Sequence, residues 1–129
     1  MTTIVVTAAV IEQGGRLLVT RRPPGAHLEG YWEFPGGKVT TGETDAQALA
    51  RELAEELGIR VLGARFMLAL THEYEDVSVE LSLWIIERFS GEPRGLDGQR
   101  LKWVHPRELD AEDILEADKP FIEALQRHG

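Results

Sequence analysis

The sequence predicts an α/β domain in which a mixed sheet is covered on its faces by helices. Three observations carry that expectation. Runs rich in β-branched and aromatic residues read as strands: Thr3 to Glu12, Arg16 to Arg21, Tyr31 to Phe34, Val61 to Leu70, Val77 to Phe89 and Leu101 to Val104. One amphipathic helix ending at Leu57 interrupts them, and a terminal helix over Pro120 to Arg127 follows them. The 129 residues, 43% hydrophobic and 28% charged, have the size and composition of an ordinary globular unit, so a single domain over 1–129 is expected.

Taken in order, Thr3 to Glu12 is a near-continuous β-branched run, the pattern of a buried strand, and Gln13-Gly14-Gly15 turns it into Arg16 to Arg21 as a hairpin. Pro23-Pro24-Gly25 cannot be helical and makes a loop. Of the adjacent Arg21 and Arg22, strand alternation lets only one point into a pocket on a given face. The aromatic strand Tyr31 to Phe34 runs into Pro35-Gly36-Gly37-Lys38, a turn whose glycines let backbone approach a ligand and whose lysine offers phosphate a compact charge. Thr71 to Asp76 is a polar connection, after which Val77, Val79, Leu81 and Leu83 alternate and Trp84-Ile85-Ile86 reads as buried on both sides. Residues 91–98 form a loop, and His105 to Leu109 a short helical piece. Proline is tolerated in the first turn of the last helix, with Phe121, Ile122 and Leu125 facing inward.

The stretch Gly37 to Ile59, GKVTTGETDAQALARELAEELGI, carries the chemistry. Thr44 with Gln47 makes a capping-box pattern, and Gly58 before Ile59 suits a left-handed stop. Ala46, Leu49, Ala50, Leu53 and Leu57 form a core stripe. At about 100° per residue, Glu52, Glu55 and Glu56 share a different arc. Like charges so placed repel, and a divalent cation would offset them. Hard oxygen ligands at this density suit Mg²⁺ or Mn²⁺, whereas zinc favours histidine or cysteine. Taken alone, an acidic helix face of this kind is more often solvated surface, with Arg51 balancing its charge.

A net charge of −8 argues against nucleic acid polymers as partners, while a small anion held through metal stays compatible. The absence of cysteine excludes disulfides, thiol catalysis and cysteine-ligated zinc. No basic segment precedes an apolar run at the N-terminus and no run reaches about 18 apolar residues, so no export signal or membrane span is expected and a cytoplasmic location is. His27, His72, His105 and His128 show no metal spacing and read as surface or loop residues.

Gly37, Glu43, Arg51-Glu52-Leu53, Glu55-Glu56 and Gly58-Ile59 reproduce, without gap or substitution, the signature GX5EX7REUXEEXGU of the Nudix hydrolases, U being a bulky aliphatic residue. Thr20-Arg21-Arg22, WEFPGGK, ERFSGEP and ADKP before the last helix, spread in order over nearly the whole chain, resemble the MutT branch of that family. The resemblance implies the Nudix α/β/α sandwich, a mixed β-sheet with the Nudix-box loop and helix at 37–59 and a C-terminal helix. It also implies a magnesium-dependent enzyme that hydrolyses nucleoside triphosphates, 8-oxo-dGTP foremost, to the monophosphate and pyrophosphate; a monomer is expected. By the same resemblance the Gly36 carbonyl, Glu52, Glu55 and Glu56 hold metal, and Asp97 adds a ligand or assists the base. Glu52 orients or deprotonates water, Arg51 fixes the helix carboxylates, Lys38 and Arg22 contact phosphate, and Glu43 buttresses the loop.

Base selection falls to the start of the last helix. Relatives specific for 8-oxoguanine commonly place asparagine where this chain has Asp118, and an ionised aspartate can only accept hydrogen bonds. Its Asp-x-Pro context resembles MutT relatives acting on CTP and 5-methyl-dCTP. Asp118 is equally readable as a helix N-cap. Phe34, Tyr74 and Asp76 are its expected companions around a base. Two further readings stay open: a Nudix enzyme for ADP-ribose, nucleotide sugars or dinucleoside polyphosphates, and a nucleotide-sensing module that no longer catalyses. The intact Arg51, Glu52, Glu55 and Glu56 argue against the second.

Overall fold

The first β-branched run becomes strand β1 (Thr2–Val10) of a computed structural model that describes residues 2–26, 28–111, 113–115 and 118–128. It is followed by β2 (Glu12–Gln13), β3 (Arg16–Arg21), β4 (Trp32–Glu33), β5 (Gly36–Lys38), helix α1 (Asp45–Leu57), β6 (Arg60–Glu73), β7 (Val77–Ser90), β8 (Leu101–Val104), a 3-10 helix (Pro106–Ala111) and helix α2 (Lys119–His128). One sheet has the order β5-β1-β7-β6, with β1 and β7 parallel and the other pairs antiparallel. The second is built on β3, which pairs with β2, β4 and β8.

Alternation along the strands splits the interior into two layers. Ala8, Val10, Leu17 and Val19 join Phe121 and Ile122 of α2, while Ala9, Ile11 and Leu18 join Leu49, Leu53 and Leu57 of α1. The result is an α/β/α sandwich with a mixed sheet between the helices. Each buried leucine of α1 contributes about 2 kcal/mol by leaving water.

The ends of α1 match the sequence reading. Thr44 Oγ1 accepts from the Gln47 amide at 3.1 Å, the Gln47 side chain accepts from the Thr44 amide at 2.9 Å, and Gly58 takes φ 70° with its N–H on the Ala54 carbonyl. The buried stripe is turned relative to expectation: Ala48 is buried, Ala46 exposed and Ala50 half-buried. The helix docks along the i, i+4 row Leu49, Leu53, Leu57, and that row does not pass through Ala46. The adjoining row Ala48, Glu52, Glu56 therefore runs along the edge of the core, and Glu55 falls outside it.

Several strand limits differ from expectation. Chain direction changes after Val10, so Glu12 and Gln13 pair with β3 rather than extending β1, around Gly14 and Gly15 at φ 59° and 78°. Thr71 to Glu73 belong to β6, shortening the polar connection to 74–76, because their backbone pairs with Ser78 to Glu80. Trp84 and Ile85 are half-buried. The aromatic strand shrinks to Trp32–Glu33. Of the histidines, His72 and His105 are half-buried, while His27 and the side chain of His128 lie outside the described residues.

The largest departure is Gly36-Gly37-Lys38, a strand rather than a turn, paired antiparallel with Val6 to Ala8. Gly36 sits at φ 153°, and a Cβ there would run into the Thr7 carbonyl. Gly36→Ala should therefore force β5 off β1, and a loss on the order of 2 to 4 kcal/mol is expected in urea unfolding. A loss below about 0.5 kcal/mol, the range of neutral surface changes, would show that the close approach is not required.

Candidate active site

A cavity of about 490 Å³ opens where β5, the edge of α1, the ends of β3 and β4, the 91–99 loop and the start of α2 meet. That volume falls in the range of small-molecule sites. Its walls carry two chemically distinct groups of side chains.

The first group hangs on Arg51. Its Nε and Nη2 reach the two oxygens of Glu43 at 2.7 and 3.0 Å, Nη2 also donates to the Lys38 carbonyl at 3.0 Å, and Nη1 donates to Glu52 at 3.0 Å and Glu55 at 3.3 Å. Glu43 further accepts from the Thr40 amide and hydroxyl. The Arg51 hydrogen bonds, then those of Thr40, hold the Glu43 carboxyl down at about 2, and Glu43 in turn pushes the Arg51 guanidinium above its ordinary value. Arg51 thus ties the loop, β5 and helix into one body.

Glu52 and Glu56, one helical turn apart, face the cavity with their carboxyls in hydrogen-bond contact. Burial, then the Glu52 hydrogen bond and charge, raise the Glu56 carboxyl to about 8, against the pull of the Gly36 backbone bonded to it. The crowding of the two side chains on one wall penalises a charge on Glu56. The donor set there is all oxygen and crowded, which fits a hard divalent cation. Among the described residues no three His, Asp or Glu side chains converge as a ready ligand set.

The second group surrounds Asp118. This residue is 5% exposed, and its Oδ2 accepts the Phe34 amide at 3.1 Å across 84 residues of chain. Burial raises the Asp118 carboxyl to about 7; the Phe34 amide opposes this, Glu33 adds to it and Arg22 opposes it. Arg22 Nη1 lies 2.9 Å from Glu33 Oε2, and burial raises Glu33 against that ion pair. Tyr74 lines the same end, its hydroxyl raised by burial and then by the Asp118 charge.

The expected residues distribute unevenly. Gly36, Lys38, Glu52, Glu56, Asp97, Arg22, Phe34, Tyr74 and Asp118 all line the cavity. Glu55 does not: the docking angle of the helix leaves its side chain 59% exposed on the Arg51 row. Asp76 does not either, because it lies in the exposed 74–76 turn beyond the cavity wall. Phe34 takes part through its amide while its ring joins the core. Arg22, expected on phosphate, pairs with Glu33 beside Asp118. Both Arg21 and Arg22 line the cavity, against the alternation argument, because β3 ends at Arg21 and Arg22 lies past it. Glu33 and Gln99 were missed; the lone carboxylate in WEF between two aromatic residues was the available signal for Glu33.

The Asp118 pKa gives a stability expectation. Raised in the folded state above its value of 3.8, it favours folding fully below about pH 4, and that contribution is lost as pH rises through about 7. Asp118→Asn keeps an acceptor for the Phe34 amide without the charge. The variant should gain on the parent by on the order of a few kcal/mol between pH 5 and 8.5. A pH-independent difference in melting temperature would contradict the raised value.

Residues 6–124 match the family model described as NUDIX domain. The chain is 39% identical over 115 residues to an 8-oxo-dGTP diphosphatase of Escherichia coli (strain K12), covering 89% of each chain. It is 37% identical over 125 residues to a CTP pyrophosphohydrolase of the same organism, covering 97% of this chain and 93% of the relative. The solution structure of the E. coli ORF135 protein superposes with a TM-score of 0.88 at 36% identity, covering 98% of this chain and 91% of that one. With the acidic row of α1, the Arg51 hub and the sandwich that presents them, these likenesses establish that the chain belongs to the NUDIX domain family.

Proposed function

We infer that this protein hydrolyses nucleoside triphosphates to the monophosphate and pyrophosphate, with 8-oxo-dGTP as the leading substrate and Mg²⁺ as the metal. The observation that carries the reading is the division of one cavity between an adjacent carboxylate pair, Glu52 and Glu56, and a polar cluster around the buried Asp118, with Glu33 and Arg22. The first suits a metal-bound polyphosphate and the second the edge of a base. A bound divalent metal would supply charge neutralisation of the phosphate oxygens and activation of water.

The chain's own residues do the rest. Glu52 and Glu56, with Asp97 from the loop and the Gly36 backbone at their side, would hold the metal; Glu52 would also orient the attacking water and accept its proton. Arg51 keeps Glu52 aimed through its 3.0 Å contact. Lys38, exposed at the cavity lip, offers charge to the departing pyrophosphate. Tyr74 and the Arg22–Glu33 pair border the base with Asp118. A monomer working on free cytoplasmic nucleotides completes the reading; among the described residues no helix is long and apolar enough to cross a membrane.

Asp118 supports a second substrate reading, CTP or 5-methyl-dCTP, because a carboxylate accepts from the cytosine amino group. A carboxyl with a pKa of about 7 also exists in protonated form near neutrality and can then donate, which suits a purine O6. Pyrophosphate release from a panel of 8-oxo-dGTP, dGTP, CTP, 5-methyl-dCTP and ADP-ribose decides between them. Turnover of 8-oxo-dGTP is expected to lead and to sharpen in Asp118→Asn. Preference for ADP-ribose, or no turnover of any triphosphate, would overturn the reading.

A further inference from the structure

The loop that brings Asp97 to the cavity is fastened to α1 at a single place. Gly58 ends the helix with its N–H on the Ala54 carbonyl, leaving the carbonyls of Glu56 and Leu57 to partners outside the helix. Leu96 N–H donates to the Glu56 carbonyl at 3.0 Å and Arg94 N–H to the Leu57 carbonyl at 3.0 Å. Gln99 adds a side-chain link. Its Nε2 donates to that same Glu56 carbonyl at 3.1 Å, while its Oε1 accepts the Asp97 amide at 2.9 Å. The partners fix the orientation of the side-chain amide, since a carbonyl needs its donor and an N–H its acceptor. Between them the chain folds tightly: Gly98 N–H meets the Gly95 carbonyl at 3.0 Å, and a Cβ on Gly95 would run into the Gln99 carbonyl.

We propose that Gln99 is a positioning residue, whose side-chain amide bridges the backbone of Glu56 to that of Asp97 and so registers the loop carboxylate against the helix carboxylates. One amide spans two residues 41 positions apart in the chain, both of which present carboxylates to one cavity. The inference rests on the reading that Asp97 serves the phosphate end of the site. A residue that only capped α1 would affect stability; one that registers Asp97 affects what Asp97 does.

The test is a double-mutant cycle of Gln99→Ala with Asp97→Asn, read by pyrophosphate release, by Mn²⁺ titration of nucleotide-free protein followed by electron paramagnetic resonance, and by thermal melting. Gln99→Ala is expected to lower kcat about tenfold, the factor matching one neutral hydrogen bond, and to weaken Mn²⁺ binding severalfold, with melting within a few degrees of the parent. In the Asp97→Asn background it should add almost nothing. Gln99→Glu, which keeps an acceptor for the Asp97 amide but has no proton for the Glu56 carbonyl, should behave like Gln99→Ala. If Asp97→Asn is impaired while Gln99→Ala matches the parent in rate and Mn²⁺ affinity, the positioning role fails and the Asp97 assignment stands. Equal losses from Gln99→Ala in both backgrounds overturn the role as well, because the residue then acts elsewhere. Parent-like behaviour of Asp97→Asn overturns the Asp97 assignment and the inference with it.

Discussion

Replacing Glu52 by glutamine is expected to lower kcat by about 10²- to 10⁴-fold, the range attached to a general base, while leaving the protein folded. The substitution conserves shape. Glu52 is largely covered, its side chain 16% exposed, and glutamine still offers an oxygen to Arg51 Nη1. What disappears is one negative charge beside Glu56, the charge that helps hold the Glu56 carboxyl up at about 8. Removing it relieves repulsion, so the melting temperature should stay level or rise slightly. Steady-state pyrophosphate release and a melting curve on the same preparation separate the two effects. A variant with parental kcat would take Glu52 out of the chemistry, and one that failed to fold would show that its role is structural.

Gly37→Ala is expected to produce a loss on the order of 10²-fold in kcat without replacing a charged residue. A Cβ at position 37 would collide with the Glu52 carboxylate, whereas the backbone of Gly37 has no need of a left-handed conformation. Strand β5 can keep its register with β1, so the strain falls on the flexible end of Glu52. That carboxylate must leave its place beside Gly37, and a displacement on the order of 1 Å can cost about 10²-fold in rate. The contrast with Gly36 is useful. One position later in the same strand, the added methyl group threatens the site instead of the sheet. In a Glu52→Gln background Gly37→Ala should change little, since both act through the same group. Full activity of Gly37→Ala would mean that Glu52 does not work from the position seen here.

Helix α1 was legible because everything that defines it is local. Its cap is Thr44 with Gln47, its stop is Gly58, and its leucines recur at helical spacing, so no distant residue is needed to specify it. The signature letters then assigned chemistry to the same stretch. The sheet was legible in content and less so in connectivity: nothing local tells that Ile11 separates strands of two sheets, or that Gly36 to Lys38 pairs with β1. The second follows from partners about 30 residues apart in sequence and from a close backbone approach only glycine allows.

The same distinction runs through the site. Glu52 and Glu56 were found by helical spacing, yet Glu55 shares that spacing and is exposed, because the docking angle of α1 decides which acidic row faces the cavity. Arg22 was recognised as a site residue, without the Glu33 carboxylate that pairs with it. Its contact with Glu33 depends on how the chain returns after the 22–31 loop. Asp118 acquires its character from burial and from the Phe34 amide, neither of which the letters ADKP contain. Gln99 belongs to the same class: its role exists only once the loop has folded back on the helix.

The most direct measurement is anomalous diffraction at the manganese edge from crystals grown with Mn²⁺ and a non-hydrolysable imido triphosphate. The expected result is manganese against Glu52 and Glu56, with phosphate oxygens beside it and the base lying toward Asp118. A nucleotide seated with its phosphates away from the α1 carboxylates, and no manganese at Glu52 or Glu56, would contradict it.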